Sequence, residues 1–320
     1  MRLSPAGGTA RALRIGLATG LTVLLLWWSD PGRVVQVALG ADWRLLAATV
    51  GLGIGDRGLR AWRWIALLPP DIPARTGMAP LLRIFFVSTF IGTFLPGSVG
   101  GDAVRAWQLT SSRNVAGATS VASVVMDRLL GTAALIVMAG VGTVLIGSLR
   151  DGGRLTIALL VAAAAVAGAL AVLSDRGVAI VRRCTGWLPG SIDGRAAGVL
   201  EALQGYRARR GVIAAVLAAS LAVNVLRILQ AAMLGRALAI DAPLVAYFAF
   251  VPVILLIMLL PISINGIGTS QAGFVVFLGR VGVPEAEAFA LSVLYLALGL
   301  LGNIPGGLLV ATGRKPAVQN

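Results

Sequence analysis

The chain has 320 residues, of which 58% are hydrophobic and 12% are charged, and its mean hydropathy is +0.90. Ordinary soluble domains carry about 25% charged residues, so this composition excludes that class and predicts a polytopic helical membrane protein. The net charge of +14 does not indicate nucleic-acid binding, because arginines gathered in short loops are what the positive-inside rule produces.

Apolar runs near the length that crosses about 30 Å of hydrocarbon recur from one end of the chain to the other. The first follows three arginines, as a signal peptide would, but no cleavage-site pattern follows its apolar core, so we interpret it as an uncleaved helix. Two shorter runs, 81–95 and 244–260, each end at a proline motif. The six predicted spans are 15–28, 43–68, 119–147, 155–173, 212–238 and 286–310.

The distribution of arginines indicates the topology. The loop 174–211 carries seven arginines against three acidic residues, so it should be cytoplasmic, as should both basic termini. If 81–95 crossed the membrane fully, that loop would fall outside. The conflict disappears if 81–112 enters from the cytoplasm, turns at 96–101 and returns, and if 244–283 does the same from outside. We therefore predict an all-α fold of six spans and two re-entrant hairpins, with full crossings as the alternative.

The two hairpins share the pattern L-P-x-S-[VI]-x-G, at 95–101 and at 260–266. A shared motif in hairpins of opposite direction predicts an inverted repeat, a plan common among transporters. The chain is then one domain, 1–320. Its pseudo-repeats, about 14–173 and 212–312, are joined by the basic cytoplasmic loop 174–211.

The hairpin motifs predict broken helices. Pro96 and Pro261 each remove a backbone N–H and clash with the preceding turn, and the glycines after them allow positive φ and close approach. The returning half-helix then points its N-terminal N–H groups at the break, where they can bind an anion such as phosphate. We expect Asp102 to be the N-cap and Arg105 to lie one turn further, where it can pair with phosphate. The alternative is two tight turns in which Asp102 pairs only with Arg105.

The second hairpin offers other polar groups. Thr269 or Ser270 is expected to cap its returning helix, and Ser263, Asn265 and Gln271 lie nearby in sequence.

Ionisable residues also interrupt the predicted spans, where they usually mark pathways. Arg128 follows Asp127 in span 119–147, and Arg227 shares one helix face with Asn224 and Gln230. Arg128 and Arg227 are expected to meet substrate, and the alternative is a structural ion pair with Asp127 or Asp102.

A further stripe of charge, formed by Asp56, Arg57, Arg60 and Arg63, lies in the inner half of the second span. We interpret its arginines as snorkelling to the cytoplasmic interface.

Three segments, LPGSVGGDAVRAW, ATSVASVVMDRLLG and LPISINGIGTSQAGF, follow one another in this order. Together they resemble the lysylphosphatidylglycerol synthase transmembrane region, a flippase-like family of stand-alone bacterial membrane proteins and membrane parts fused to enzymes. The resemblance covers about residues 10 to 312. It implies a membrane unit that moves lipids, such as aminoacylated phosphatidylglycerol, across the bilayer. The family motif falls here on Pro96, Gly100, Gly101, Asp102, Arg105, Arg128, Pro261, Gly266 and Gly268.

Two departures from the family pattern matter. Gln271 stands where the family often has a glutamate, so a carboxylate is lost together with any proton-coupling or amine-binding role assigned to it. The chain ends at Asn320, shortly after the last predicted span, so we expect a stand-alone member that does not synthesise lysylphosphatidylglycerol.

These observations predict a lipid translocase of the bacterial plasma (inner) membrane that binds an anionic phospholipid or polyprenyl-phosphate headgroup. The alternative is a non-transporting accessory subunit that supports an enzyme of a cell-envelope lipid or glycan pathway. An enzyme is not expected, because no His-Asp set or interfacial carboxylate pair is found, and neither a cofactor nor a metal is expected. Membrane lipids are the expected partners, and nucleic acid is not. The candidate substrate-binding residues are Ser98, Gly100, Gly101, Asp102, Arg105, Asp127, Arg128, Arg227, Ser263, Asn265, Gly266, Gly268 and Gln271.

Overall fold

The structure is a computed structural model that describes residues 32, 36–37, 39–95, 99–113, 115–146, 152–171, 174–175, 177–179, 183, 190–260, 263 and 266–311. Within those residues the regular elements are all helical, which confirms the predicted all-α fold of a polytopic membrane protein. The α-helices are α1 (Trp43–Leu67), α2 (Asp71–Thr76), α3 (Met78–Thr93), α4 (Val99–Arg113), α5 (Gly117–Ile146), α6 (Gly152–Ala171), α7 (Gly190–Gln204), α8 (Arg210–Ala237), α9 (Leu244–Leu259), α10 (Thr269–Gly279), α11 (Glu285–Leu301) and α12 (Ile304–Ala311).

In the part of the chain that the structure describes, three helical stretches are long and apolar enough to cross a membrane, namely Gly117–Leu145, Arg210–Ala237 and Glu285–Ala311. The last of these is divided near Gly302 into α11 and α12. Helix α1 is also long enough to cross a membrane, but it carries a stripe of charged residues and is less apolar than the other three. The predicted span 15–28 lies outside the described residues.

The segment 174–211, predicted to be a loop, instead contains α7 and a short 3₁₀ turn, Gly205–Ala208. Leu200, Leu203 and Tyr206 are buried there, in a cluster that includes Met126 and Leu130 of α5. The number of arginines suggested a loop, but α7 is amphipathic: its charged residues lie on one side and its buried apolar residues lie on the other.

Helices α3 and α4 pack against each other, and so do α9 and α10. The connections between them are 94–98 and 260–268, so both helix pairs are broken at the predicted motifs. Pro96, Ser98, Pro261 and Asn265 lie outside the described residues. Whether these pairs are re-entrant hairpins remains a prediction.

The glycines of the two breaks behave differently. Helix α4 already begins at Val99, so Gly100 and Gly101 lie inside its first turn. A Cβ on Gly101 would lie 2.9 Å from the Ser88 carbonyl oxygen, so glycine here permits the close approach of α3 and α4. In the second break, Gly266 and Gly268 have φ of 79° and 84°, the left-handed region that favours glycine.

Packing between the two halves of the chain is reciprocal. Helix α1 packs on α8, α3 packs on α12, and α9 packs on α5. Helix α4 also packs on α5, just as α10 packs on α11. If α1, α3, α4 and α5 correspond to α8, α9, α10 and α11–α12, each contact has a counterpart. This correspondence is the one that the predicted inverted repeat requires.

Candidate substrate cavity

A cavity of about 320 Å³ lies between the two halves, with walls from α1, α3, α4, α5, α8, α9, α10 and α11. Seven of the predicted site residues line it, and they come from segments far apart in sequence: Gly101, Asp102, Arg105, Asp127, Arg128, Arg227 and Ser263. Gly100, Gly266, Gly268 and Gln271 do not line it, and Ser98 and Asn265 lie outside the described residues. Three arginines of α1 that were interpreted as snorkelling also line the cavity: Arg57, Arg60 and Arg63.

One charged cluster joins α1, α4 and α5. The Arg63 Nε lies 2.6 Å from an oxygen of Asp127, whose other oxygen lies 3.9 Å from Arg105. Arg105 also lies 4.0 Å from Asp102, and the second oxygen of Asp102 pairs with Arg128. The cluster is therefore a chain of alternating charges, in which each aspartate bridges two arginines. Asp102 is not the N-cap that we predicted, because α4 already begins at Val99, and its carboxylate instead pairs with arginines at the cavity.

Arg105 is the most enclosed of these arginines, with only 6% of its side chain exposed. Its guanidinium carbon lies 4.6 Å from the ring centre of Phe85 and 5.3 Å from that of Trp64, and its Nε donates to the Ser88 hydroxyl. Such cation–π contacts and hydrogen bonds fix a guanidinium in place. Arg105 therefore braces α4 against α1 and α3.

A second cluster is centred on Asp56 of α1, which is 1% exposed. One carboxylate oxygen lies 2.8 Å from Arg57 and 3.5 Å from Arg60, and the other lies 3.1 Å from Arg227 of α8. Arg57 also donates to the Gly299 carbonyl at 2.6 Å. The cluster thus connects the first half of the chain to α8 and α11 of the second.

The spacing of α1 explains why its charges turn inward. Residues 56, 60 and 63 follow an i, i+4, i+7 pattern, which places them on one face of a helix. That face meets α5 and α8, where Gly131 makes room for Arg63: a Cβ there would lie 3.2 Å from the guanidinium. Arg63 then reaches both Asp127 and the Ser220 hydroxyl, the latter at 3.0 Å.

The balance of charge around the cavity is positive. Among the described residues, six arginines line it, against Asp102 and Asp127 in its wall and Asp56 behind it, which leaves an excess of three positive charges. All six oxygens of these aspartates face a guanidinium. The arginines with the most exposed side chains are Arg128 at 38% and Arg60 and Arg227 at 25% each.

The second helix pair contributes neutral polar groups. The Gln271 side-chain oxygen accepts from the Gly268 N–H at 2.7 Å and from the Ser270 hydroxyl at 3.0 Å. Gln271 therefore caps α10, a role that we had assigned to Thr269 or Ser270. Their hydroxyls instead bond the Gly266 carbonyl, because the left-handed glycines turn that carbonyl toward the helix start. Among the described residues, no group of three or more His, Cys, Asp or Glu side chains could hold a metal ion.

A mostly apolar cleft of about 370 Å³ adjoins the cavity between α4 and α5. It shares Asp102, Arg128 and Thr132 with the cavity. Its remaining wall is aliphatic: Val99, Val124, Val125 and Leu129. The Asp102–Arg128 ion pair thus stands at the boundary between a charged chamber and an apolar one.

Sequence reasoning missed the inward direction of the α1 arginines and the central position of Asp56. The signal was available in part, because an aspartate on the same face as two arginines of an apolar helix indicates a buried cluster better than an interfacial one. It also missed Asn303 at the α11–α12 break, which accepts from Arg57 at 3.3 Å and donates to Thr93 at 2.8 Å.

Comparison with known proteins agrees with the membrane fold. The model of the family described as "Lysylphosphatidylglycerol synthase TM region" matches residues 12–306. A relative named Glycosyltransferase AglD, from Haloferax volcanii, is 29% identical over an alignment that covers 92% of this chain and 54% of the relative. The chain thus spans about half the length of this curated relative. No solved structure matches the chain.

Proposed function

This chain belongs to the lysylphosphatidylglycerol synthase transmembrane-region family, and from that premise we propose that it is a lipid translocase that binds an anionic headgroup in its arginine-lined cavity. The observation that supports this most is the excess of three positive charges around one cavity between the helices of a membrane protein. Uncompensated charge is costly away from bulk water, so the chamber favours an anionic guest.

The six arginines divide into two roles in this proposal. Arg57, Arg63 and Arg105 are largely enclosed by their protein partners and hold the cavity walls. Arg60, Arg128 and Arg227 keep exposed surface and come from α1, α5 and α8, so they contact the phosphate from three sides. Guanidinium groups suit this task because they present several donors in a planar fork.

The lipid tail occupies the apolar cleft between α4 and α5. The cleft meets the cavity at Asp102 and Arg128. The hydrocarbon tail of a lipid whose phosphate contacts Arg128 can therefore pack against Val124 and Val125. This arrangement separates the polar and apolar parts of one amphiphile without burying either in the wrong environment.

Movement between leaflets follows from the predicted repeat. The α3–α4 and α9–α10 pairs act as re-entrant hairpins of opposite direction, and one half of the chain rocks against the other around the cavity. The polar contacts that join the halves at the cavity, above all Asp56 to Arg227, are the ones that this motion rearranges.

The test is a liposome assay with the purified full chain and fluorescent anionic lipids, comparing Arg227→Gln with Arg236→Gln. Arg236 lies on the same helix, is exposed and does not line the cavity. Asp56 keeps Arg57 and Arg60 in the first variant, so the fold should persist. We expect translocation by the native chain, a loss of about tenfold in Arg227→Gln through a lost charged hydrogen bond, and little change in Arg236→Gln.

The proposal fails if the native chain accelerates no lipid of an anionic and polyprenyl-phosphate panel above protein-free liposomes. Equal rates in the two variants, with thermal unfolding showing both folded, would remove the cavity from the mechanism.

The alternative is a membrane subunit that binds lipid for a glycan- or lipid-modifying enzyme without moving it. The similarity to a protein named as a glycosyltransferase favours this reading, because the match covers only about half of that protein. Lipid binding without translocation, together with co-purification of a stoichiometric enzyme, would decide for it.

A further inference from the structure

We propose that the headgroup taken by this cavity carries about two negative charges and no ammonium group, as the terminal phosphate of a long-chain phosphomonoester lipid does. The inference rests on the proposed binding of an anionic lipid and narrows its chemistry. Neither the family description nor the relative's name specifies it.

The excess of positive charge around the cavity determines which headgroup charge is bound best. A phosphodiester lipid brings one negative charge and would leave two of the three excess guanidinium charges uncompensated. A phosphomonoester has a second pKa near 6 and carries about −1.5 to −2 at pH 7, so it leaves about one. Since uncompensated charge is unfavourable where helices partly exclude water, the more highly charged headgroup is preferred.

The number of accessible donors agrees with this charge. Arg60, Arg128 and Arg227 approach from three different helices, and a terminal phosphate offers three unsubstituted oxygens, whereas a phosphodiester offers two. At about 320 Å³ the chamber lies at the small end of ligand pockets, which suits a compact headgroup.

Among the described residues of the cavity and its surroundings, the three aspartates have no carboxylate oxygen left over for an ammonium group. Every carboxylate oxygen of Asp56, Asp102 and Asp127 already faces a guanidinium. Gln271 of α10 is neutral, and its oxygen is occupied by the Gly268 N–H and the Ser270 hydroxyl. A headgroup esterified with an amino acid would therefore bring its positive charge into a wall of arginines, where like charges repel.

The test measures equilibrium binding of three lipids with identical dioleoyl tails to the purified full chain, by native mass spectrometry. The lipids are phosphatidic acid, phosphatidylglycerol and the lysyl ester of phosphatidylglycerol. We expect phosphatidic acid to bind at least about tenfold more tightly than phosphatidylglycerol, because one more charge is paired at short range, and the lysyl ester to bind most weakly. Equal affinities, or tightest binding of the lysyl ester, would overturn the inference.

A variant with a preserved fold tests the charge argument directly. In Gln271→Glu the new carboxylate still accepts from the Gly268 N–H and suits a helix N-terminus, so α10 stays capped. It adds one negative charge next to the cavity wall, because the side chain at position 271 is hydrogen-bonded to Ser270, which lines the cavity. The preference for phosphatidic acid should fall several-fold, whereas Gln36→Glu, on an exposed position, should leave it unchanged. An unchanged preference in Gln271→Glu counts against a charge-set selectivity.

Failure of this inference differs from failure of the proposed function. If the lipids bind equally and are all translocated, the chain is a translocase without this selectivity. If phosphatidic acid binds preferentially but no lipid moves in liposomes, the selectivity stands and the transport role is lost.

Discussion

The central carboxylate of the cavity gives the sharpest test of the structure. Asp56 is 1% exposed and lies within 3.5 Å of three guanidinium groups, those of Arg57, Arg60 and Arg227. Asp56→Asn keeps the shape of the side chain and removes its charge. Three partly buried guanidinium groups then lose their shared counter-charge, although Arg57 keeps its bond to the Gly299 carbonyl.

The magnitude follows from distance and burial. A charge pair about 3 Å apart interacts by about 5 kcal/mol at an effective dielectric constant of 20, and part of this offsets the desolvation of the carboxylate. Removing one partner of a buried pair costs about 3–5 kcal/mol. At roughly 2–4 °C of melting temperature for each kcal/mol in large domains, we expect the melting temperature in detergent to fall by about 6–20 °C.

The matched control is Asp71→Asn. Asp71 pairs with Arg75 at 3.9 Å, but both side chains are more than half exposed, so the loss should stay below about 1 kcal/mol. If the two variants have the same melting temperature, Asp56 does not compensate buried charge, and the cavity is more hydrated than the burial of Asp56 indicates.

A second measurement on the same variant separates lost packing from lost charge. Asp56→Asn raises the positive excess of the cavity from three to four, so an anionic lipid should stabilise it more than it stabilises the native chain. A ligand at 100 times its Kd adds about 2.7 kcal/mol to the folded state. Phosphatidic acid should therefore recover a large share of the lost melting temperature. Recovery no greater than that of the native chain would refute the reasoning.

Two further variants test the fold around the cavity. Gly101→Ala places a Cβ 2.9 Å from the Ser88 carbonyl oxygen, so it should cost about 1–3 kcal/mol in thermal unfolding, whereas Gly58→Ala, with nothing within 4 Å, should not destabilise α1. Tyr206→Phe should cost about 1 kcal/mol, because its hydroxyl donates to the Leu67 carbonyl at 2.8 Å. Burial raises the pKa of Tyr206 from 10 to about 12. When unfolding is measured against pH, the stability difference between the native chain and Tyr206→Phe should therefore be fully present below pH 10 and should be lost as the pH rises toward 12.

Much of the helical plan could be predicted from composition and charge. The predicted spans 43–68, 119–147 and 212–238 agree within two residues with α1, α5 and α8, because long apolar runs bounded by polar residues have few alternatives. The breaks at 94–98 and 260–268 follow from proline and glycine. The packing helix α7 within 174–211 could not be predicted from the charge count that defined the segment, since its apolar face is visible only against α5.

The sequence allowed us to predict which residues belong to the site better than how they pair with one another. Asp102, Arg105, Asp127, Arg128 and Arg227 were selected because charge inside a membrane is rare, and the structure places all of them around one cavity. Their pairing could not be derived, because it depends on which helices lie side by side. Nothing along the chain indicates that Arg63 reaches Asp127 through a gap left by a glycine of α5.

The two charged clusters differ in what they connect, and this difference bears on how a cavity between two halves could open. The ion pairs of Asp102 and Asp127 join α1, α4 and α5, so they hold the first half together, and Arg63 adds one hydrogen bond to Ser220 of α8. The pair of Asp56 and Arg227 instead joins α1 to α8, one helix from each half. An anion that pairs with Arg227 can replace the Asp56 carboxylate there, and its contact with Arg128 leaves Asp127 paired with Arg63 and Arg105. The ion pair between α1 and α8 is therefore one that a bound phosphate is placed to loosen, whereas the enclosed Arg63 and Arg105 keep the first half braced.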